Sequence, residues 1–166
     1  MARGFNWRVA ITIFLLWMPA VFTIVLRLTW HNLPTRIPTH WGASGPADGF
    51  SDSTITWVIL LLVAIVAAVV GVAIIVLGGN ILAPRRSIAV GACAAVAGLA
   101  VALWPAFTLS AIAAGGLKGD QGNTFVLLLG GLVWGGLTFL SAGPFVGLGS
   151  QFNRAAAAKE SARTIR

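Results

Sequence analysis

The chain has little charge with which to face water. Only 9% of its 166 residues are Asp, Glu, Lys or Arg, four of them acidic, while 58% are hydrophobic and mean hydropathy is +0.92. A soluble domain carries about a quarter of its residues as charges, so this composition excludes one. Cys93 is the single cysteine, which rules out an intramolecular disulfide; in the middle of an apolar run it reads as a small packing residue. Tyrosine is absent, and seven tryptophans carry the polar-tipped aromatic role alone. The two histidines, His31 and His40, each lack a second histidine three or four residues away, so no familiar zinc spacing is present. No ionisable residue interrupts the long apolar runs, apart from Arg27 at the end of one. Proton relays and ion pathways use such groups, so a stand-alone pump or secondary transporter is disfavoured.

What is present is four apolar blocks, at 9–28, 55–77, 87–113 and 124–148. Each approaches or exceeds the roughly 20 residues a helix needs to cross a bilayer, and none shows the alternation of a barrel strand. The expectation is an all-α integral membrane protein: a four-helix bundle forming one membrane domain over 1–166, with an outer loop at 29–54 and a tail at 149–166. Positive charge orients it. Arg3, Arg8, Arg85, Arg86, Arg154, Lys159, Arg163 and Arg166 fall on one side and Arg27, Arg36 and Lys118 on the other. The positive-inside rule then places both termini in the cytoplasm and the 25–30 residue loop outside. The basic start MARGFNWR leads into a run too long for a cleaved signal peptide and reads as an uncleaved anchor. The net charge of +7 reads as membrane orientation and not as nucleic-acid binding, since the basic residues form no groove-reading element. In the tail they are spaced to lie near anionic headgroups.

Pro19 lies inside the first block. It predicts a bend near Leu15 to Trp17, with Thr12 or Thr23 available to satisfy the freed backbone group. LWMPAVFT (16–23) is echoed by LWPAFT (103–108). Small residues recur four apart at Ala67 and Gly71, Gly91 and Ala95, Ala94 and Gly98, Gly131 and Gly135, and Gly143 and Gly147. Such pairs let helices approach closely in lipid; the reading is packing within the chain, with a homo-oligomer face as the sharper alternative.

The polar stretch 33–52, LPTRIPTHWGASGPADGFSD, is where recognition or chemistry belongs. Pro34 and Pro38 set an extended entry, and Gly42, Gly45, Pro46 and Asp48-Gly49 are turn formers. Trp30, Trp41 and Trp57 suit an interfacial belt. Asp52, Ser53 and Thr54 are candidate caps for the second helix. His31, His40, Ser44, Asp48 and Asp52 are the groups available for catalysis, but nothing in their order fixes the geometry a triad needs. His31, His40, Asp48 and Asp52 are also the loop's candidate metal ligands, in no recognised pattern, so no cofactor and no catalytic residue is assigned. The alternative is a metal-dependent enzyme built on His40 and Asp48. The favoured expectation makes His40 a buried structural anchor hydrogen-bonded across the loop, with Asp48 closing its turn and Arg27 or Arg36 paired with a carboxylate.

The run Leu33-Pro34-x-x-Ile37-Pro38-x-His40-Trp41, followed by Gly45 and Asp48-Gly49-Phe50, resembles the bacterial membrane domain of unknown function 1648 over about residues 15–60. This chain has Gly42 where that family usually carries Asn or Asp, and Ala47 separates Pro46 from the aspartate. The family also occurs in SdpI-type toxin-immunity proteins. The resemblance implies a multi-pass protein of the bacterial cell membrane of the SdpI immunity type. The lack of a metal-type spacing and of buried carboxylates favours a non-enzymatic protein whose loop (Pro34, Pro38, His40, Trp41, Gly45, Asp48, Gly49) recognises a peptide, a lipid headgroup, a toxin or a membrane-protein partner. A transporter accessory subunit is a further alternative.

Overall fold

The computed structural model describes residues 7–42, 47–77, 83–113 and 121–143. Four helices, α1 (Trp7–Thr29), α2 (Ser53–Leu77), α3 (Ala83–Ala113) and α4 (Gln121–Ser141), account for most of them, with a two-stranded hairpin, β1 (Arg36–Trp41) and β2 (Ala47–Asp52), between α1 and α2. Trp7–Thr29, Ser53–Leu77 and Pro84–Ile112 are long and apolar enough to cross a membrane; in α4 a shorter apolar stretch, Leu129–Ser141, is described. Gly45, Ser44, Lys118 and the basic tail lie outside the described residues.

The interior is made of small side chains and the exterior of large ones. Ala64, Ala68, Ala94, Ala97 and Ala106 are fully buried, while Leu62, Val66, Val69 and Leu77 of α2 are more than half exposed. Apolar exposure on that scale marks a surface meant for a nonaqueous neighbour, and alanine-rich contacts are what helix pairing in lipid selects. The three membrane-capable helices make this a membrane protein.

α3 is the hub, packing most extensively on α4 and then on α2. Its contact with α4 is backbone-close: a Cβ at Gly131 would come within 2.7 Å of Leu99 N, and one at Gly135 within 2.5 Å of the Ala95 side chain. The small-residue pairs of α3 and α4 are thus used inside the chain. Cross-links between helix ends define one end of the molecule: Thr12 Oγ1 lies 3.1 Å from Ser141 Oγ, and Ser87 Oγ donates to Ala142 O at 3.4 Å. The start of α1, the start of α3 and the close of α4 therefore lie together.

Several expectations need correction. The outer segment is paired strands and not coil. α3 begins at Ala83 and takes Pro84 into its first turn, where proline's missing N–H costs nothing. α4 stops at Ser141 and not at Leu148: Gly143 has φ 76° and donates to Leu140 O, the left-handed C-terminal cap that glycine adopts without strain. Pro19 deprives Leu15 O of its helical donor, but neither threonine supplies a replacement. Trp134 Nε1 of α4 donates to Leu15 O at 3.0 Å, while Thr12 Oγ1 donates to Arg8 O and Thr23 Oγ1 is buried without a partner among the described residues.

Candidate functional site in the hairpin

α1 ends at Thr29, and Asn32, with φ 58°, turns the chain back; asparagine tolerates this left-handed conformation better than most residues. The strands then pair antiparallel, Arg36 opposite Asp52, Ile37 opposite Ser51 and Pro38 opposite Phe50. Ser53 N–H donates to Thr35 O just beyond. In alternating antiparallel order this makes Ile37 and Ser51 a hydrogen-bonded pair, so Pro38 falls at a position whose N–H would face away from the ladder. Proline is admitted there without loss.

Two compensating bulges follow. Register shifts flank His40, which pairs with Gly49 while Trp41 pairs with Ala47; Thr39 is the extra residue on β1 and Asp48 on β2. The second bulge carries Asp48 beside His40, and His40 Nδ1 meets Asp48 Oδ1 at 2.5 Å. Gly49 is required at this spot, because a Cβ would lie 2.8 Å from His40 Cβ. The motif residues His40, Asp48 and Gly49 are one local structure.

The hairpin is seated by apolar groups. Ile37 has no exposed surface and packs with Trp104 and Ala111 of α3, flanked by Leu26, Trp30, Leu33, Trp57 and Phe107. Trp104 is fully buried, donates its indole N–H to Ser53 O at 3.2 Å, and meets Trp30 edge-on at 5.9 Å. Trp41 lies against Phe107 at 5.7 Å. The outer tryptophans thus tie the hairpin to the helices. Asp52 caps α2, its Oδ1 accepting from Thr54 N–H and Ile55 N–H, both at 2.9 Å, which satisfies two of the orphan donors of the first turn.

The opposite face is solvent-facing. His40 and Asp48 side chains are 71% and 55% exposed, so His40 is not the buried anchor expected of it; burial belongs to Ile37. Nor does either arginine pair with a carboxylate among the described residues. Arg36 lies over the Phe50 ring at 5.9 Å, and Arg27 lies over Trp57 at 6.0 Å and donates to Thr54 Oγ1 at 3.4 Å. Cation–ring contact replaces the ion pair. Beneath the hairpin, Arg27 Nε, Trp41 Nε1 and Trp57 Nε1 are buried donors without a partner among the described residues. His31 is exposed, and among the described residues no three of His, Cys, Asp and Glu come together as a metal site. His40 and Asp48 offer two ligands; Asp52 is engaged at its cap.

Proline, histidine, aromatic and glycine thus fall in order along one bulged hairpin directly after a membrane-capable helix. Residues 11–67 match DUF1648, a domain of unknown function. The DUF1648 segment takes in most of α1, the hairpin and the first part of α2. No curated protein and no solved structure shows a significant match to the chain. The α3 residues that seat the hairpin, Trp104, Phe107 and Ala111, lie outside the DUF1648 match. Sequence reading missed them as part of the site; the LWPAFT echo was the one signal that drew attention to Trp104. It also missed Ile37 as the seat, since an isoleucine between an arginine and a proline gives no period to read.

Proposed function

We propose that this is a multi-pass protein of the bacterial cell membrane, a four-helix bundle with both termini in the cytoplasm, that uses its DUF1648 hairpin as a non-enzymatic recognition element for an extracytoplasmic peptide or membrane-protein partner. The observation that carries this is the division of the hairpin into two faces. Ile37 and Trp41 fix one face to the helices, and the other presents His40, Asp48 and Phe50, the last 38% exposed, as a preformed polar and aromatic patch. A patch held on a rigid support loses little entropy on binding. A toxin-immunity or envelope-signalling role of the SdpI type follows from the family resemblance alone and belongs to the same reading.

The test is site-specific photocrosslinking in intact cells. A benzophenone side chain at Phe50 should give a discrete protein adduct, one at Val69 on the lipid-facing side of α2 should give none, and His40→Ala or Asp48→Ala should reduce the Phe50 adduct. Equal adducts at both positions overturn the proposal. The paired imidazole and carboxylate also support a second reading, a metal-dependent site. Stoichiometric zinc in the purified protein, lost in both His40→Ala and Asp48→Ala, would establish that alternative.

A further inference from the structure

A cavity of about 290 Å³ opens between α1, α3 and α4, lined by Met18, Pro19, Phe22, Val101, Pro105 and Trp134 among others. Its place in the fold decides what can fill it. Met18 is the midpoint of α1 (Trp7–Thr29), Gly98 of α3 (Ala83–Ala113) and Gly131 of α4 (Gln121–Ser141), and all three line the cavity. If these helices cross the bilayer, as the proposed membrane threading has it, the cavity lies at the level of the lipid tails, where neither water nor a headgroup competes for it. Both prolines of the echoed segments line this one space. Glycine completes the opening: a Cβ added at Gly130 meets nothing within 4 Å, and Phe22 beside it is 55% exposed. The opening therefore faces sideways, between α1 and α4. The volume is at the low end of the roughly 300–1,000 Å³ of small-molecule sites.

We propose that this cavity is a lateral binding site for a hydrocarbon chain of a membrane lipid, held between the two proline-bearing helices and Trp134 of α4. An apolar chain entering from the membrane brings no polar group that the lining must satisfy. It supplies the contact that the walls, shaped by glycine and proline, leave unmade.

The experiment uses the full chain reconstituted in bilayers containing a phospholipid with a photoactivatable diazirine at mid-chain, with adducts mapped by mass spectrometry. Val69, 51% exposed on α2, serves as the reference for bulk lipid. Labelling of Met18 and Phe22 is expected to saturate as the probe fraction rises, while labelling of Val69 rises in proportion. Gly130→Trp, which fills the opening, should cut labelling of Met18 roughly tenfold, the factor lost when about two methylenes are excluded. Gly136→Trp should leave it unchanged, because Gly136 is equally open but does not line the cavity. Proportional labelling at all three residues, an equal effect of both glycine variants, or a Met18 adduct to a second copy of the chain would overturn the proposal. Absence of label at Val69 as well would instead refute the membrane threading on which it rests.

Discussion

Ile37 and His40 stand three positions apart in β1 and do opposite things. Ile37 is fully buried against Trp104, and truncating a buried isoleucine costs about 2–5 kcal/mol through lost transfer energy and the cavity left behind. Ile37→Ala should therefore release the hairpin and raise protease cleavage between Thr35 and Asp52 while the helices stay inserted. His40→Ala removes an exposed pair with Asp48, and such pairs are worth about 0.2–1 kcal/mol. It should leave cleavage nearly unchanged; marked cleavage in His40→Ala with none in Ile37→Ala would invert these roles. Gly49 adds a sharper test of the bulge. A methyl there meets His40 Cβ at 2.8 Å, so Gly49→Ala should open the hairpin and His40→Gly should restore its protease resistance. The sequence exposed His40 and Asp48 as polar groups of one loop but assigned Asp48 to its turn and a carboxylate to Arg27 or Arg36; the pairing of His40 with Asp48 comes from the bulge. It did not expose which residue is buried, because burial here comes from α3, some seventy positions away.

The helices were legible from hydropathy because a spanning segment must be long, apolar and helical to satisfy its own backbone. The hairpin was not, since RIPTHW and ADGFSD contain proline, glycine and few β-branched residues, and tertiary contact overrides that poor propensity. The carbonyl that Pro19 leaves without a helical donor was legible from the sequence, but its partner was not, because Trp134 reaches Leu15 O from a helix more than a hundred residues later. Removing that donor leaves a buried carbonyl unpaired, at about 1–3 kcal/mol. Trp134→Phe should lower the midpoint of thermal unfolding in detergent, and Pro19→Ala, which restores an N–H for Leu15 O, should recover part of the loss in the double variant. Additive effects of the two substitutions would mean that Trp134 contributes by packing alone. The glycines of α4 divide in the same structural terms. Gly131→Ala drives a methyl to 2.7 Å from Leu99 N and should separate α3 from α4, whereas Gly136→Ala meets nothing within 4 Å and should be tolerated, a contrast visible in the thermal midpoints.

At the scale of the whole molecule, threading connects composition to function, since only an outward-facing hairpin can meet an extracytoplasmic partner. The proposed threading takes its sign from the basic residues, eight against three as expected from the sequence. The fold adds an independent constraint: the start of α1, the start of α3 and the close of α4 are bonded together at one end, and the hairpin is seated against α3 toward its other end. Under the proposed threading, whichever face of the bilayer one end occupies, the hairpin occupies the other. Thr35 and Pro84 are exposed at these opposite ends, so single cysteines there, on a Cys93→Ala background, report the direction. A membrane-impermeant thiol reagent added to intact cells should modify Thr35→Cys and spare Pro84→Cys, and permeabilisation should make both reactive. Modification of Pro84→Cys alone would reverse the threading and turn the hairpin to the cytoplasm, and an extracytoplasmic partner would be excluded with it. Modification of both in intact cells would break the two-ended arrangement that the helix contacts define.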